Sequence, residues 1–170
     1  MKRGAGFMEY PFKPKSNRLL LPGQFWAVPL ENGKFACGRV IEIEPDSRTG
    51  FLAGLMDWLG DAPPLVDDIK GCKVLAQGSV HIKTVHETGL NRMILGNLPL
   101  TEDNIKPFFF KSQVIFANDC LLMQGYKVIG PASKEKSEKY DVFSTWGYSF
   151  IKVLAETRLA NEELRIEEND

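Results

Sequence analysis

Apolar and polar positions alternate most clearly near the start of the chain, where two strand-like runs lie close together. Gln24-Phe25-Trp26-Ala27-Val28-Pro29-Leu30 and Phe35-Ala36-Cys37-Gly38-Arg39-Val40-Ile41-Glu42-Ile43 are joined by Glu31-Asn32-Gly33-Lys34. Asn-Gly at the centre of that joint supplies the positive φ angles of a tight hairpin turn. A two-residue turn on Asn32-Gly33 sets Trp26 opposite Arg39, Val28 opposite Cys37 and Leu30 opposite Phe35, so Trp26 and Arg39 share one face. The other face then carries Phe25, Ala27, Pro29, Ala36, Gly38 and Val40. Ala27 opposite Gly38 leaves a shallow spot where another element can approach closely. Pro29 has no N–H to donate, which places the first strand at a sheet edge near the turn.

Beyond the hairpin the pattern stays extended. Residues 51–59 are apolar on both sides, which reads as a strand buried on both faces, with a short helix as the alternative. Asp61-Ala62-Pro63-Pro64-Leu65 is a rigid loop. Residues 73–85 alternate as a strand, 93–95 form another short one, and 112–116 pairs with 119–129 around Ala117-Asn118. Residues 133–139 are a charged surface stretch. From Tyr148 the period changes. Ile151, Val153, Leu154, Leu159 and Ile166 are spaced for a helix, with Ser149 or Thr145 as its cap. The elements predict an α+β fold of mostly antiparallel β-sheet with a C-terminal helix, and a curved, partly open barrel is one form such a sheet can take. The expected organisation is a loosely attached basic arm over 1–18, a single domain over 19–160 and an acidic tail over 161–170.

Composition supports one folded domain: 170 residues, 44% hydrophobic, with 18 aromatics that a disordered chain would lack. No apolar run approaches the roughly 20 residues of a membrane helix, and no apolar block follows the basic first residues as a secretory signal requires. Cys37, Cys72 and Cys120 are too few and too scattered for a disulfide framework or a zinc knuckle, so a reducing cytoplasm is the expected compartment. The net charge of −1 conceals a gradient: residues 1–18 carry five basic side chains against Glu9, and residues 161–170 carry five acidic ones against Arg165. The strong basic excess of a nucleic-acid binder is missing.

The search for catalytic chemistry returns little. Neither phosphate-cradling glycine loop, no nucleophile elbow and no H-E-x-x-H motif is present, so no catalytic residue and no cofactor is assigned. His81 and His86, five apart, fall on opposite faces of a strand and about 140° apart on a helix, so no metal site is assigned either. A metal-assisted hydrolase using His81, His86 and nearby aspartates is kept as the least favoured reading.

Two features suit a partner. Between positions 57 and 68 stand Asp57, Asp61, Asp67 and Asp68, with Trp58, Leu65 and Val66 among them and no Lys or Arg. An aromatic anchor inside a negative rim fits a basic protein surface. The plainer reading makes Trp58 core and the aspartates solvated turn formers. Arg39 beside Trp26 is the second feature: it either grips a partner's carboxylate or phosphate, or lays its stem on the indole with its head in water.

The hairpin from Pro22 to Val40 resembles the N-terminal signature of the immunity protein 26 family. There, a Gly-polar-apolar start leads through apolar-Pro-Leu and a polar-Gly turn to an aromatic and then Gly-Arg. Met93-Ile94-Leu95-Gly96-Asn97-Leu98-Pro99-Leu100, with Pro107 beyond, is similar to a second family stretch. The chain departs at Gln24, where Asp is more usual, and at Arg92–Met93, where Trp is. The resemblance implies a cytoplasmic bacterial protein encoded beside a polymorphic toxin that it neutralises by binding. The expected function is thus a non-enzymatic immunity protein whose partner is a cognate toxin domain, a nuclease being one class because its basic cleft binds a polyanion. Asp57, Trp58, Asp61, Asp67 and Asp68 are the expected contact residues, with Trp26 and Arg39 next. A small β-rich module binding peptide or nucleic acid through the hairpin face is the alternative.

Overall fold

Five antiparallel strands make the central sheet of the computed structural model, which describes residues 8–115 and 117–160. They are β1 (Gln24–Pro29), β2 (Phe35–Ile43), β3 (Gly50–Gly60), β4 (Val74–His81) and β5 (Gly96–Asn97), in the order β4-β3-β2-β1-β5. A second sheet holds β6 (Phe109–Lys111), β7 (Leu121–Gln124) and β8 (Lys127–Pro131). Among the described residues there are four short α-helices, α1 (Val66–Ile69), α2 (Lys83–Thr88), α3 (Lys134–Lys139) and α4 (Phe150–Ala155), the last continuing as a wider π turn over Glu156–Ala160, and three short 3-10 turns. The α+β, mostly antiparallel expectation holds, and so does the C-terminal helix. The sheets do not close into a barrel.

The hairpin is where expectation and structure part. β1 pairs with β2 one residue out of the expected register: Phe25 faces Arg39, and Trp26 faces Gly38. The cause is the turn. Leu30 N–H donates to Lys34 O (2.8 Å), Gly33 N–H to Leu30 O (3.1 Å), and Gly33 takes φ +82°. The loop therefore has three residues, Glu31, Asn32 and Gly33, with the glycine in the left-handed position. A one-residue slip exchanges faces. Trp26 joins Val28, Ala36 and Val40 in one core, and Arg39 lies on the opposite face with Phe25 and Cys37. The shallow spot at Gly38 is filled by the Trp26 indole itself, which lies so close that any side chain on Gly38 would overlap it.

β3 explains the doubly apolar run. Residues 50–56 are buried on both faces, since the sheet has a core on each side. Phe51, Ala53 and Leu55 meet Trp26, Val85, Trp146, Ile151 and Leu159 on one side. On the other, Met56 joins Phe25, Cys37, Ile69 and Leu98. The β4 edge of the sheet is shielded. Trp146 N–H donates to Ser79 O and Ser79 N–H to Ser144 O along β4, and Arg158 Nη1 donates to Leu75 O (3.2 Å). β5 covers only Gln24 and Phe25 of β1, which leaves Pro29 on an unpaired edge as its missing N–H requires.

Residues 12–17 of the segment expected as an arm bond to the body of the fold. Phe12 and Ile94 exchange backbone hydrogen bonds of 3.0 and 2.8 Å, and buried Asn17 donates its side-chain amide to Ser47 O and Gly50 O. The expected strand over 119–129 is two, β7 and β8, folded about Gly125, whose φ is +56°. The charged stretch is α3, with the Ser133 hydroxyl accepting from Lys136 N–H. Ser149 precedes α4 without a side-chain cap, and the Ile166 end of the predicted helix, the acidic tail and the first seven residues lie outside the described residues.

Candidate functional site

The acidic segment begins where β3 leaves the core. Met56 is fully buried and Asp57 is exposed, its N–H donating to Lys73 O at 2.7 Å. Trp58 is half-buried, packed on the Met56–Ile69 core with its indole across Gly60. Asp61 is exposed and pairs loosely with Lys34 at 3.7 Å. α1 then forms one turn. The Asp68 carboxylate accepts from Leu65 N–H at 2.8 Å, Leu65 O accepts from Asp68 N–H at 3.0 Å, and Ile69 anchors the turn in the core. Asp67 stands exposed on the outer side, and Leu65, 70% exposed, forms the tip. All four carboxylates of the segment are thus exposed, Asp68 is tied to the backbone of the bare Leu65, and the half-buried Trp58 packs into the core.

Asp57 and Asp68 converge on Cys72. Burial is the main cause that pushes this thiol above its ordinary value, and the nearby Asp57, Asp103 and Asp68 carboxylates push it further. Cys37 is raised more strongly, by burial. Both thiols are held neutral, which suits structural cysteines and not nucleophiles.

Arg39 does not reach a surface. It is fully buried, with Nη1 3.1 Å from Asp103 Oδ2 and Nη2 donating to Leu98 O. The other oxygen of Asp103 accepts from Gly71 N–H at 2.8 Å. One guanidinium therefore ties β2 to residues 98–103 and, through Asp103, to the turn that follows α1. Trp26 is fully buried on the opposite face, edge-on to Phe51 at 5.8 Å. The expected Trp26–Arg39 contact surface does not exist, because the register separates the two and the core covers both. Asp103, the residue that gives Arg39 its role, carries no local sequence signal: it sits in a short 3-10 turn at Leu100–Asp103, 64 positions away.

The histidines are committed separately. His81 Nδ1 accepts from Lys83 N–H at 3.0 Å, and burial with Lys83 and His86 lowers its pKa. His86 Nε2 donates to Pro14 O at 2.6 Å, holding the arm. Among the described residues no three His, Cys, Asp or Glu side chains gather as a metal site, and no helix is long and apolar enough to cross a membrane.

The two stretches that carry the sequence resemblance meet in space. Gln24 pairs with Asn97, Phe25 with Gly96, Leu98 N–H donates to Gly23 O, and Arg39 grips Leu98 O. The sequence model of immunity protein 26 matches residues 21–121, which includes both stretches, the acidic loop and the Arg39–Asp103 pair. The chain belongs to the immunity protein 26 family. No curated protein and no solved structure matches it. In this member of the family, the Gly-Arg signature is architectural: Gly38 admits the Trp26 ring, and Arg39 fixes the loops that flank the acidic surface.

Proposed function

We propose that this immunity protein 26 family member binds a cognate bacterial toxin in the cytoplasm and neutralises it without catalysis. In this reading the surface built by Asp57, Asp61, Asp67, Asp68 and Leu65 sits against a basic active-site cleft, such as that of a nuclease. The observation that supports the reading is that one segment, 57–68, exposes four carboxylates and a bare leucine, while Gly71 just beyond it is held by the buried Arg39–Asp103 pair. An apolar centre with a charged rim gives both affinity and steering. The alternative of a peptide or nucleic-acid module has the Trp26–Arg39 pair and the basic arm as its cues, and both residues of that pair are buried.

The test is growth rescue: the toxin domain encoded beside this protein is expressed with and without it. Rescue together with a stable complex of the two proteins supports the reading. A toxic neighbour that is neither rescued nor bound overturns it.

A further inference from the structure

A trough runs from the turn after α1 to the second sheet. It consists of two adjoining hollows of about 360 and 440 Å³ that share Lys106 and Phe108. Three aromatic residues line the hollow beside the second sheet. Phe108 and Phe109 are 37% and 40% exposed, and the Phe109 and Tyr140 rings are 5.6 Å apart and inclined by 35°.

The trough is built beforehand. Buried Gln77 donates to Lys106 O (3.1 Å) and accepts from Phe108 N–H (2.8 Å), while Gln124 donates to Pro107 O (3.3 Å) and Gly125 N–H to Phe108 O (2.9 Å). All three carbonyls of residues 106–108 and the Phe108 N–H are thus engaged from within, so a ligand would be read chiefly by side chains and not by strand addition. Lys106 and Lys139 are exposed on its walls, and neither makes an ion pair among the described residues. Lys139 Nζ instead stands 5.3 Å over the Tyr140 ring. Of the two carboxylates that line the trough, Asp103 is already engaged by Arg39 and Gly71, which leaves Asp141 alone against the lysines.

From this geometry we infer that the trough is a second contact site for the protein partner, taking an extended segment that places a proline or aromatic side chain on Phe108, Phe109 and Tyr140 and carboxylates on Lys106 and Lys139. The inference rests on the reading of this chain as a partner-binding immunity protein. Inclined aromatic pairs accept the flat faces of proline-containing extended segments. The partner would then meet a surface of two signs: a basic region at the Leu65 tip and an acidic, apolar segment in the trough.

The test titrates the full-length ¹⁵N-labelled chain with three probes: the peptides Ac-EEPFPEE-amide and Ac-KKPFPKK-amide, and an oligothymidylate. The acidic peptide is expected to move the amides of Lys106, Phe108, Phe109, Lys139 and Tyr140 saturably. The combined Lys106→Glu and Lys139→Glu variant should weaken this by at least about tenfold while the rest of its spectrum stays unchanged. No saturable shift, equal or stronger binding of the lysine peptide, stronger binding of the oligothymidylate, or shifts elsewhere would overturn the inference. Binding to the toxin domain separates the two readings. If the wild-type chain captures no toxin yet the acidic peptide moves these amides, the proposed function fails and the peptide-binding trough stands. If toxin binds and the double lysine variant binds equally well, the trough fails and the function stands.

Discussion

Arg39 and Asp103, 64 positions apart in the chain, form an ion pair of 3.1 Å from which water is almost wholly excluded. Through it one side chain holds β2 to residues 98–103 and, by way of Asp103, to Gly71 after α1. A buried pair of this kind offers little net stability over an apolar one, but its loss on one side is costly because the other charge stays buried.

Arg39→Met or Asp103→Asn should therefore each lower unfolding free energy by about 3–5 kcal/mol, read from urea denaturation midpoints. Arg39→Lys keeps the charge and loses the fork that spans Asp103 and Leu98 O, so it should recover only part of the loss. Full recovery by lysine would mean that charge alone matters and that the fork's geometry does not.

Gly38 offers a different kind of test. Any β-carbon there overlaps the Trp26 ring, so Gly38→Ala forces the indole off its place in a fully buried core. The expected cost is about 1–3 kcal/mol or more, as for other overpacked cores. Much of it should vanish in a Trp26→Leu background, which removes the ring. Gly33→Ala is the contrast: nothing lies within 4 Å of its β-carbon, but φ is +82°. Its cost of about 1 kcal/mol arises from backbone strain and should be the same with or without Trp26. A double-mutant cycle on thermal unfolding distinguishes the two cases.

The hairpin illustrates how far a single sequence carries. Its two strands, its turn residues and the edge position of Pro29 follow from local patterning, because φ > 0 at Gly33 and the missing proline N–H are local facts. Whether the loop has two or three residues is not local in the same way. Asn-Gly serves both, and the choice is made by how the faces pack: Trp26 against Phe51 and Trp146, Phe25 against Met56 and Leu98. That one residue decided whether Arg39 read as a surface hook or a buried brace. Asp103 was out of reach for the same reason, since no pattern within a few positions marks an aspartate whose partner lies on another strand. The exposure of Asp57, Asp61, Asp67 and Asp68 is legible in the sequence because burying unpaired charge is costly. The trough was missed because its walls come from separate segments, at residues 106–109, 124 and 139–141.

Cys72 reports on the acidic surface directly. Its thiol is raised by burial and then by Asp57, Asp103 and Asp68, so less thiolate is present near neutral pH than for a free cysteine. Removing a neighbouring negative charge makes ionisation easier and lowers the pKa. Asp57→Asn and Asp68→Asn, alone and together, should therefore speed modification of Cys72 by a disulfide reagent at pH 7.5 a fewfold, and shift its rate profile to lower pH. Cys37 and Cys120, both buried, should stay slow throughout and serve as internal controls. An unchanged Cys72 rate in the double variant would mean that the two carboxylates do not converge on it.

The acidic surface itself is tested through rates. If Asp61, Asp67 and Asp68 steer a basic toxin, their combined replacement by Asn removes three charges without removing the Leu65 tip. Association should slow by about tenfold at low salt, and its salt dependence should flatten, because steering acts over a screening length of about 10 Å at 0.1 M. Dissociation should change much less, since rim charges act mainly on encounter. Asp68 also accepts from Leu65 N–H, so Asp68→Asn alone should cost up to about 1 kcal/mol of stability through the weakened cap. Circular dichroism of the triple variant separates that local effect from steering. Leu65→Ser provides the opposite signature: it leaves the charges in place, so the association rate and its salt slope persist while dissociation quickens. Stopped-flow traces that reversed these assignments would move the partner's footprint away from the 57–68 loop.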